Sequence, residues 1–395
     1  MSCNNPDLHF QHAVNLQKQK LFEEAEKEYR EVLRLKPDAS NAHYNLGFLL
    51  YDLKRYEEAE KEYREAIRLK PDSFDVHYNL GILLYDLKRY EEAEKEYREA
   101  IRLKPDYKDT HINLGTLLCN LKRYKEGEKE YQEALSIKPD DPRAHYNLGL
   151  LFYESKRYEE SEKEYREAIR LKPDSFDVHY NLGILLYDLK RYDEAEVEYQ
   201  KALKAKKDYW YSSWGLSEVH VEMASGTWDK DLFQDALTEL DQALKIIRKN
   251  PTQVSNEKFF KMYLLRGYIH TALGDYKEAR WDYKMCLKYD EDNLKAKRNL
   301  RRINKIFGEK LSLRWMQIPL LSVAGTGLLA SCLARFWFDV LKDTQFYAFT
   351  FMCFPFIIVG ILLPLIRRVK VGKIEMEFEK GAIIPTKSFA PPVER

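Results

Sequence analysis

A 34-residue unit recurs along this chain, and no other feature limits the fold so severely. Pro37, Pro71, Pro105, Pro139 and Pro173 return at that interval, as do Gly47, Gly81, Gly115, Gly149 and Gly183. The clearest copy, residues 74–107, reads FDVHYNLGILLYDLKRYEEAEKEYREAIRLKPDY. A fixed period of this length means that each copy is one supersecondary unit, which buries its apolar face only by stacking on its neighbours. Lys-Pro-Asp closes the copies and stops a helix, because proline cannot continue one.

In the copy over 74–107, Leu80, Gly81, Leu84, Tyr90, Ala93, Tyr97, Ala100 and Pro105 fall at the positions of a known pattern. The chain resembles the tetratricopeptide-repeat (TPR) family, and the resemblance covers most of residues 6–293. It implies an all-α solenoid of helical hairpins, about eight repeats plus a capping helix, with two antiparallel helices per repeat. Gly81, Ala93 and Ala100 are expected where helices cross closely, with Leu80, Leu84, Tyr90 and Tyr97 filling the space between. Gly127 and Ser161 replace the alanine but keep the position small.

The sequence divides into four parts. Residues 1–207 hold six regular repeats. The first is degenerate, with Ala13 and His12 where later copies have glycine and leucine, as expected of a terminal repeat with one face in water. Copies two to six begin at Ser40, Phe74, Lys108, Pro142 and Phe176. Residues 208–313 hold irregular repeats and a basic capping helix. Gly215 and Ala236 are 21 residues apart where regular copies have 12, which predicts an exposed loop around Ala224-Ser225-Gly226-Thr227. Register returns at Gly267, Gly274 and Ala279. Ala296, Leu300, Ile303, Phe307 and Leu311 then form an apolar stripe at helical spacing.

Residues 314–368 carry a different signal. The runs 315–334 and 346–366 contain no charge and span about 30 Å each at 1.5 Å per residue, the thickness of a bilayer's hydrocarbon core. They are expected to form a two-helix transmembrane hairpin. Arg298, Arg301, Arg302, Lys305 and Arg314 precede it, and Arg367 and Arg368 follow, so both termini and the repeats are expected on the cytoplasmic side. The same basic segment suits anionic membrane lipid. Residues 369–395 read as a short bulged strand and a Pro-rich tail.

Composition excludes several functions. Lys+Arg 65 against Asp+Glu 64 gives net charge +1, so no global field points to nucleic acid. Pairs such as Glu57–Lys61, Glu60–Arg64 and Glu94–Arg98 are four residues apart, the pattern of a solvated helix surface. The five cysteines form no C-x-x-C and suggest neither a disulfide framework nor a zinc site. Six histidines (His9, His43, His77, His111, His145, His179) share one repeat position. Packed helices lie about 8–10 Å apart, too far for such residues to share a metal, so the position is read as packing. No phosphate loop, dinucleotide fingerprint, H-E-x-x-H or G-x-S-x-G occurs, and no enzyme, catalytic residue or cofactor is expected.

The candidate site lies on the first helices. In the family these helices line a concave surface, and here the facing positions form rows at helical spacing. One row is Asn45, Asn79, Asn113, Asn147 and Asn181. A second is Tyr44, Tyr78, Ile112, Tyr146 and Tyr180, and a third is Tyr51, Tyr85, Cys119, Tyr153 and Tyr187. A fourth is Asp52, Asp86, Asn120, Glu154 and Asp188. An asparagine offers an extended peptide backbone both donor and acceptor. The first row is similar to the asparagine ladder with which the TPR domain of O-GlcNAc transferase grips peptides. The tyrosines favour an apolar or aromatic ligand and the carboxylates a basic one. The basic groove positions of chaperone-type TPR clamps are not matched.

These features predict a membrane-anchored TPR scaffold that binds a cytoplasmic protein or peptide in its groove. Two alternatives stand beside it: an oligomeric membrane effector or pore with a TPR sensor, and a homo-oligomer built by self-assembly through the groove.

Overall fold

A computed structural model describes residues 5–249 and 254–306. The expected hairpin over 315–334 and 346–366, with Arg314, Arg367, Arg368 and the tail, lies outside these residues, as do Phe307 and Leu311. Among the described residues no helix is long and apolar enough to cross a membrane.

Two compact units divide at Leu185/Leu186. In the first, helices alternate in antiparallel pairs: α1 (Pro6–Lys18) with α2 (Phe22–Leu35), α3 (Ser40–Asp52) with α4 (Tyr56–Leu69), α5 (Phe74–Asp86) with α6 (Tyr90–Leu103). The series continues through α7 (Lys108–Asn120), α8 (Tyr124–Ile137), α9 (Pro142–Glu154) and α10 (Tyr158–Leu171), and α11 (Phe176–Asp188) runs across the division. The pairs α1–α2, α3–α4, α5–α6, α7–α8 and α9–α10 each pack within themselves, and α2, α4, α6 and α8 each pack against the first helix that follows. The helices α3, α5, α7, α9 and α11 start at the residues where copies two to six start.

The periodic small residues account for the close packing. A Cβ added to Gly81 would lie 2.7 Å from the Tyr97 ring, and Gly115 stands in the same relation to Tyr131. Tyr63, Tyr97, Tyr131 and Tyr165 are consequently buried. Ser161 keeps its small position polar by donating to the Gly149 carbonyl at 2.7 Å. Gly127 has a different reason, since its missing Cβ leaves room for the Cys119 sulfur, 2.9 Å from where that carbon would sit.

The turn inside each hairpin carries a feature that sequence reading did not anticipate. Lys54, Lys88, Lys122 and Lys156 adopt φ between 59 and 61°, the left-handed region. There the Arg55 N–H donates to Leu50 and the Lys54 N–H to Tyr51, both at 2.9 Å, so the helix ends in a Schellman motif. Among the described residues a glycine takes this place only in the eighth hairpin, at Gly274.

The shared histidine is an inter-element brace. His77 Nδ1 lies 2.6 Å from Glu96 Oε2 on α6, and its Nε2 lies 2.9 Å from the carbonyl of Pro71 in the preceding turn. His43, His111 and His145 repeat this geometry with Glu62, Glu130 and Glu164. Outside the hairpins, Arg55, Arg89, Arg123 and Arg157 each reach a glutamate 29 residues back, at 2.6–2.7 Å.

The second unit contains α12 (Tyr192–Ala205), α13 (Trp210–Thr227), α14 (Lys230–Lys249), α15 (Asn256–Leu273), α16 (Tyr276–Tyr289) and a helical run over 294–306. The loop expected at Ala224–Thr227 is absent: these residues are the last turn of α13. The additional residues lengthen the helices to 18 and 20 residues, against 13 and 14 in the first unit. Ala224 is buried against Phe233 and Ala236, which holds the extended turn helical despite Gly226, and Trp228 in the left-handed region ends it. Over 294–306 the expected stripe buries Ala296 and Ile303 and half-buries Leu300; Ile306, outside that stripe, is buried as well, and Ile303 and Ile306 cluster with Tyr276 and Tyr283. Arg298, Arg301 and Lys305 remain exposed on this run.

Candidate functional site

The four rows stand on the first helices α3, α5, α7 and α9 and on α11. Tyr44, Asn45, Tyr51 and Asp52 occupy one face of α3, because offsets of one, seven and eight residues span two helical turns. A fifth row lies between them, at four residues from the first tyrosine: Phe48, Ile82, Thr116 and Leu150. Phe48 is 36% exposed, and Ile82 and Leu150 are half-buried. Helical spacing from Tyr44 is a signal that finds this apolar row.

The asparagine and tyrosine rows turn out to be partners. Asn79 Nδ2 donates to the Tyr44 hydroxyl at 3.1 Å, Asn113 Nδ2 to Tyr78 at 3.2 Å, and Asn181 Nδ2 to Tyr146 at 2.9 Å. Each bond joins one copy to the next, 35 residues apart. Asn79 and Asn181 also donate to the carbonyls of Asp75 and Asp177, and Asn45 to that of Asn41, all one turn back. The amide hydrogens of Asn79 and Asn181 are therefore engaged inside the protein. What such a rung offers a ligand is the asparagine Oδ1 as acceptor and the tyrosine hydroxyl as donor.

The other two rows pair in the same register. The Tyr51 hydroxyl donates to Asp86, and Asn120 Nδ2 donates to Tyr85 at 2.5 Å. In the second unit Tyr187 donates to Glu222 at 3.5 Å. Tyr51, Tyr85 and Tyr153 also pack on Tyr56, Tyr90 and Tyr158 of the following helices, with ring centroids 5.5–5.9 Å apart. Burial raises the phenols of Tyr44 and Tyr78, the latter to about 12, so both remain protonated donors at neutral pH.

Exposure varies along the rows. Tyr44, Tyr78, Asn45, Asn79, Asn113 and Asn147 are half-buried, whereas Tyr146 is 7% and Asn181 4% exposed. Tyr180 and Tyr187 are buried too. The fourth copy departs from the pattern at four positions, one of them Asn120 in place of a carboxylate. Ile112 replaces tyrosine and is buried. Thr116 turns inward, its hydroxyl bonded to the Ile112 carbonyl and to the Tyr131 hydroxyl at 3.0 Å. Cys119 leans toward Gly127, and burial pushes its thiol up to about 11, which leaves it an inert thiol at neutral pH.

At the start of the same stretch, charges pair closely. Lys108 lies 2.6 Å from Asp141, and Arg143 is bonded to Asp109. Beside them Phe74, Tyr78 and Tyr107 form an aromatic trio with centroids 4.9–5.7 Å apart, capped by the Lys104 ammonium at 5.0 Å from Tyr107. Among the described residues no group of three metal-ligating side chains comes together.

Comparison with known proteins agrees with this architecture. Profiles described as "Tetratricopeptide repeat" match residues 10–74, 49–108, 84–151, 176–209 and 260–293, and one described as "TPR repeat" matches 149–190. The matches run unbroken from residue 10 to 209, then resume for the eighth hairpin. The chain belongs to the tetratricopeptide-repeat family. No curated protein matches the sequence. Among solved structures, the C-terminal part of a TPR repeat-containing protein from Cytophaga hutchinsonii is 17% identical and aligns with TM-score 0.52. That likeness covers 65% of this chain and 99% of the other. A TPR protein from Parabacteroides merdae is 16% identical with TM-score 0.44, covering 75% and 97%. YrrB, titled a TPR protein with an unusual peptide-binding site, is 20% identical with TM-score 0.39, covering 46% and 93%. At 17% identity the Cytophaga hutchinsonii likeness bears on the fold alone.

Proposed function

We propose that this protein is a non-catalytic TPR scaffold that binds a protein or peptide partner across the face formed by α3, α5, α7 and α9. The observation that carries the reading is the composition of that face. Its rungs set a tyrosine donor beside an asparagine acceptor, flanked by the apolar row of Phe48, Ile82 and Leu150 and by exposed carboxylates at Asp52, Asp86 and Glu154. An extended chain presents N–H and C=O groups that match such rungs, and the carboxylates favour basic side chains on it. The second helices, by contrast, expose mainly paired arginines and glutamates, whose mutual satisfaction leaves little for a partner.

We further propose that residues 315–334 and 346–366 anchor the scaffold in a membrane with the repeats on the cytoplasmic side. The support is two uncharged runs of bilayer length with basic flanks.

The test is affinity capture with the full-length protein in detergent. Phe48→Lys with Leu150→Lys alters the first-helix face, and Lys95→Glu with Lys129→Glu alters the second helices. A partner retained by the wild type and by the second pair but lost with the first supports the reading. Equal recovery by all three, or loss only with the second pair, contradicts it.

A further inference from the structure

Along the face from α3 onward, both inter-copy ladders break at one place, the junction of α7 and α9. The rung that would hold Asn147 needs a tyrosine at 112, where the chain has Ile112. The rung that would hold Glu154 needs one at 119, where it has Cys119. Asn147 is half-buried and Glu154 exposed, and neither forms a hydrogen bond or ion pair among the described residues. Asn79, Asn113 and Asn181, by contrast, each give an amide hydrogen to a tyrosine. Asn147 is thus distinguished from these three by a whole unengaged amide, able to donate and accept at once.

The surroundings favour use of that amide. Ile112, Thr116 and Cys119 are shorter than the tyrosines and large apolar residues of other copies, and the last two turn inward. The floor beside Asn147 is therefore lower and apolar. The cations nearby are already neutralised, Arg143 by Asp109 and Lys108 by Asp141. Glu154, like Asp52 on α3, is left as an exposed carboxylate without a counterpart among the described residues, and only Glu154 has the lowered floor beside it. Seven residues of helix separate it from Asn147, about 10 Å at 1.5 Å per residue. An extended peptide covers that distance in three residues at about 3.3 Å each.

We propose that the α7–α9 junction is the anchor subsite of the face. Resting on the binding role proposed above, it takes an extended peptide segment with a large apolar residue and a Lys or Arg three positions away. The peptide backbone at the apolar residue pairs with both ends of the Asn147 amide, the apolar side chain covers Ile112, and the basic side chain meets Glu154. The occupant is a basic-apolar peptide because the Glu154 carboxylate lacks a compensating cation among the described residues, and charge complementarity selects the sign.

The experiment uses full-length protein and an immobilised array of capped nine-residue peptides. Each carries Leu, Phe or Ala at the centre and Lys, Glu or Ala three positions to either side. The proposal expects binding of the Leu or Phe peptides to rise roughly tenfold when Lys replaces Ala at one of the two flanks. Asn147→Ala weakens that binding roughly tenfold, a larger factor than Asn45→Ala produces, whereas Lys95→Ala on the second helix α6 changes it less than twofold. Glu154→Lys transfers the preference from Lys to Glu peptides. Ile112→Tyr rebuilds the rung, weakening binding while raising the thermal midpoint, which separates occlusion from misfolding. Binding that depends equally on Asn45 and Asn147, or that ignores the flanking charge, overturns the anchor while leaving the binding face intact. Absence of binding by every peptide overturns both.

Discussion

At the scale of single residues, the repeat explains most choices, and the departures explain the rest. Gly81 and Gly115 are glycines because a tyrosine ring fills the space of their Cβ. The left-handed lysines have no such necessity. An L-residue in that region is disfavoured by roughly 1–2 kcal/mol, a penalty that glycine lacks. Lys88→Gly should therefore stabilise the fold by about 0.5–1 kcal/mol, read as a rise in the urea midpoint of unfolding with an unchanged slope. A lower midpoint would show that the lysine side chain contributes packing worth more than the backbone strain. This turn was not legible in the sequence, since nothing in Leu-Lys-Arg-Tyr announces a positive φ. Gly274 at the same register was the available hint.

At the scale of elements, the first unit was legible almost residue by residue, because a helix boundary read in one copy transfers to the others. The second unit was not. Gly226 and the 21-residue interval read as a loop, yet burial of Ala224 against α14 overrides the weak helix propensity and extends α13. The rows of the candidate site were legible as residues on a face, but their pairing was not. A rung joins positions 35 apart, one more than the period, and depends on how neighbouring hairpins are offset.

The histidine braces give the hairpins a pH dependence. Burial opposes the charge on His43, His77 and His111, but the glutamate and proline-carbonyl hydrogen bonds outweigh it and raise all three above 6.5. In His145 the Glu164 bond itself leads. A raised folded value means the folded state holds its proton more tightly than the unfolded chain. The stabilisation is complete below about pH 6.5 and is lost as pH rises through the folded values. The thermal midpoint should accordingly fall between pH 6 and pH 9, and His77→Gln combined with His111→Gln should flatten that fall. A midpoint that stays level in the wild type would show that the braces are neutral hydrogen bonds.

At the scale of the whole molecule, a chain of this kind is a series of similar hairpins in which function rests on what each copy presents. Family membership leaves that question open, since one fold serves many partners. What individualises this protein is the face of α3 to α9: tyrosine–asparagine rungs, an apolar row, a line of carboxylates and one junction where both ladders stop. The period that made the fold legible also concealed that junction, because Ile112 and Cys119 read as ordinary drift until the rungs were seen.

The central claim is that partners bind on the first-helix face, and site-specific photo-crosslinking tests it most directly. A benzophenone side chain placed at Ile82 on that face, and at Lys61 on a second helix, would be activated in cells expressing the full-length protein. The account predicts a discrete crosslinked species from position 82 and none from position 61. Crosslinks from position 61 alone, or the same species from both, would contradict it.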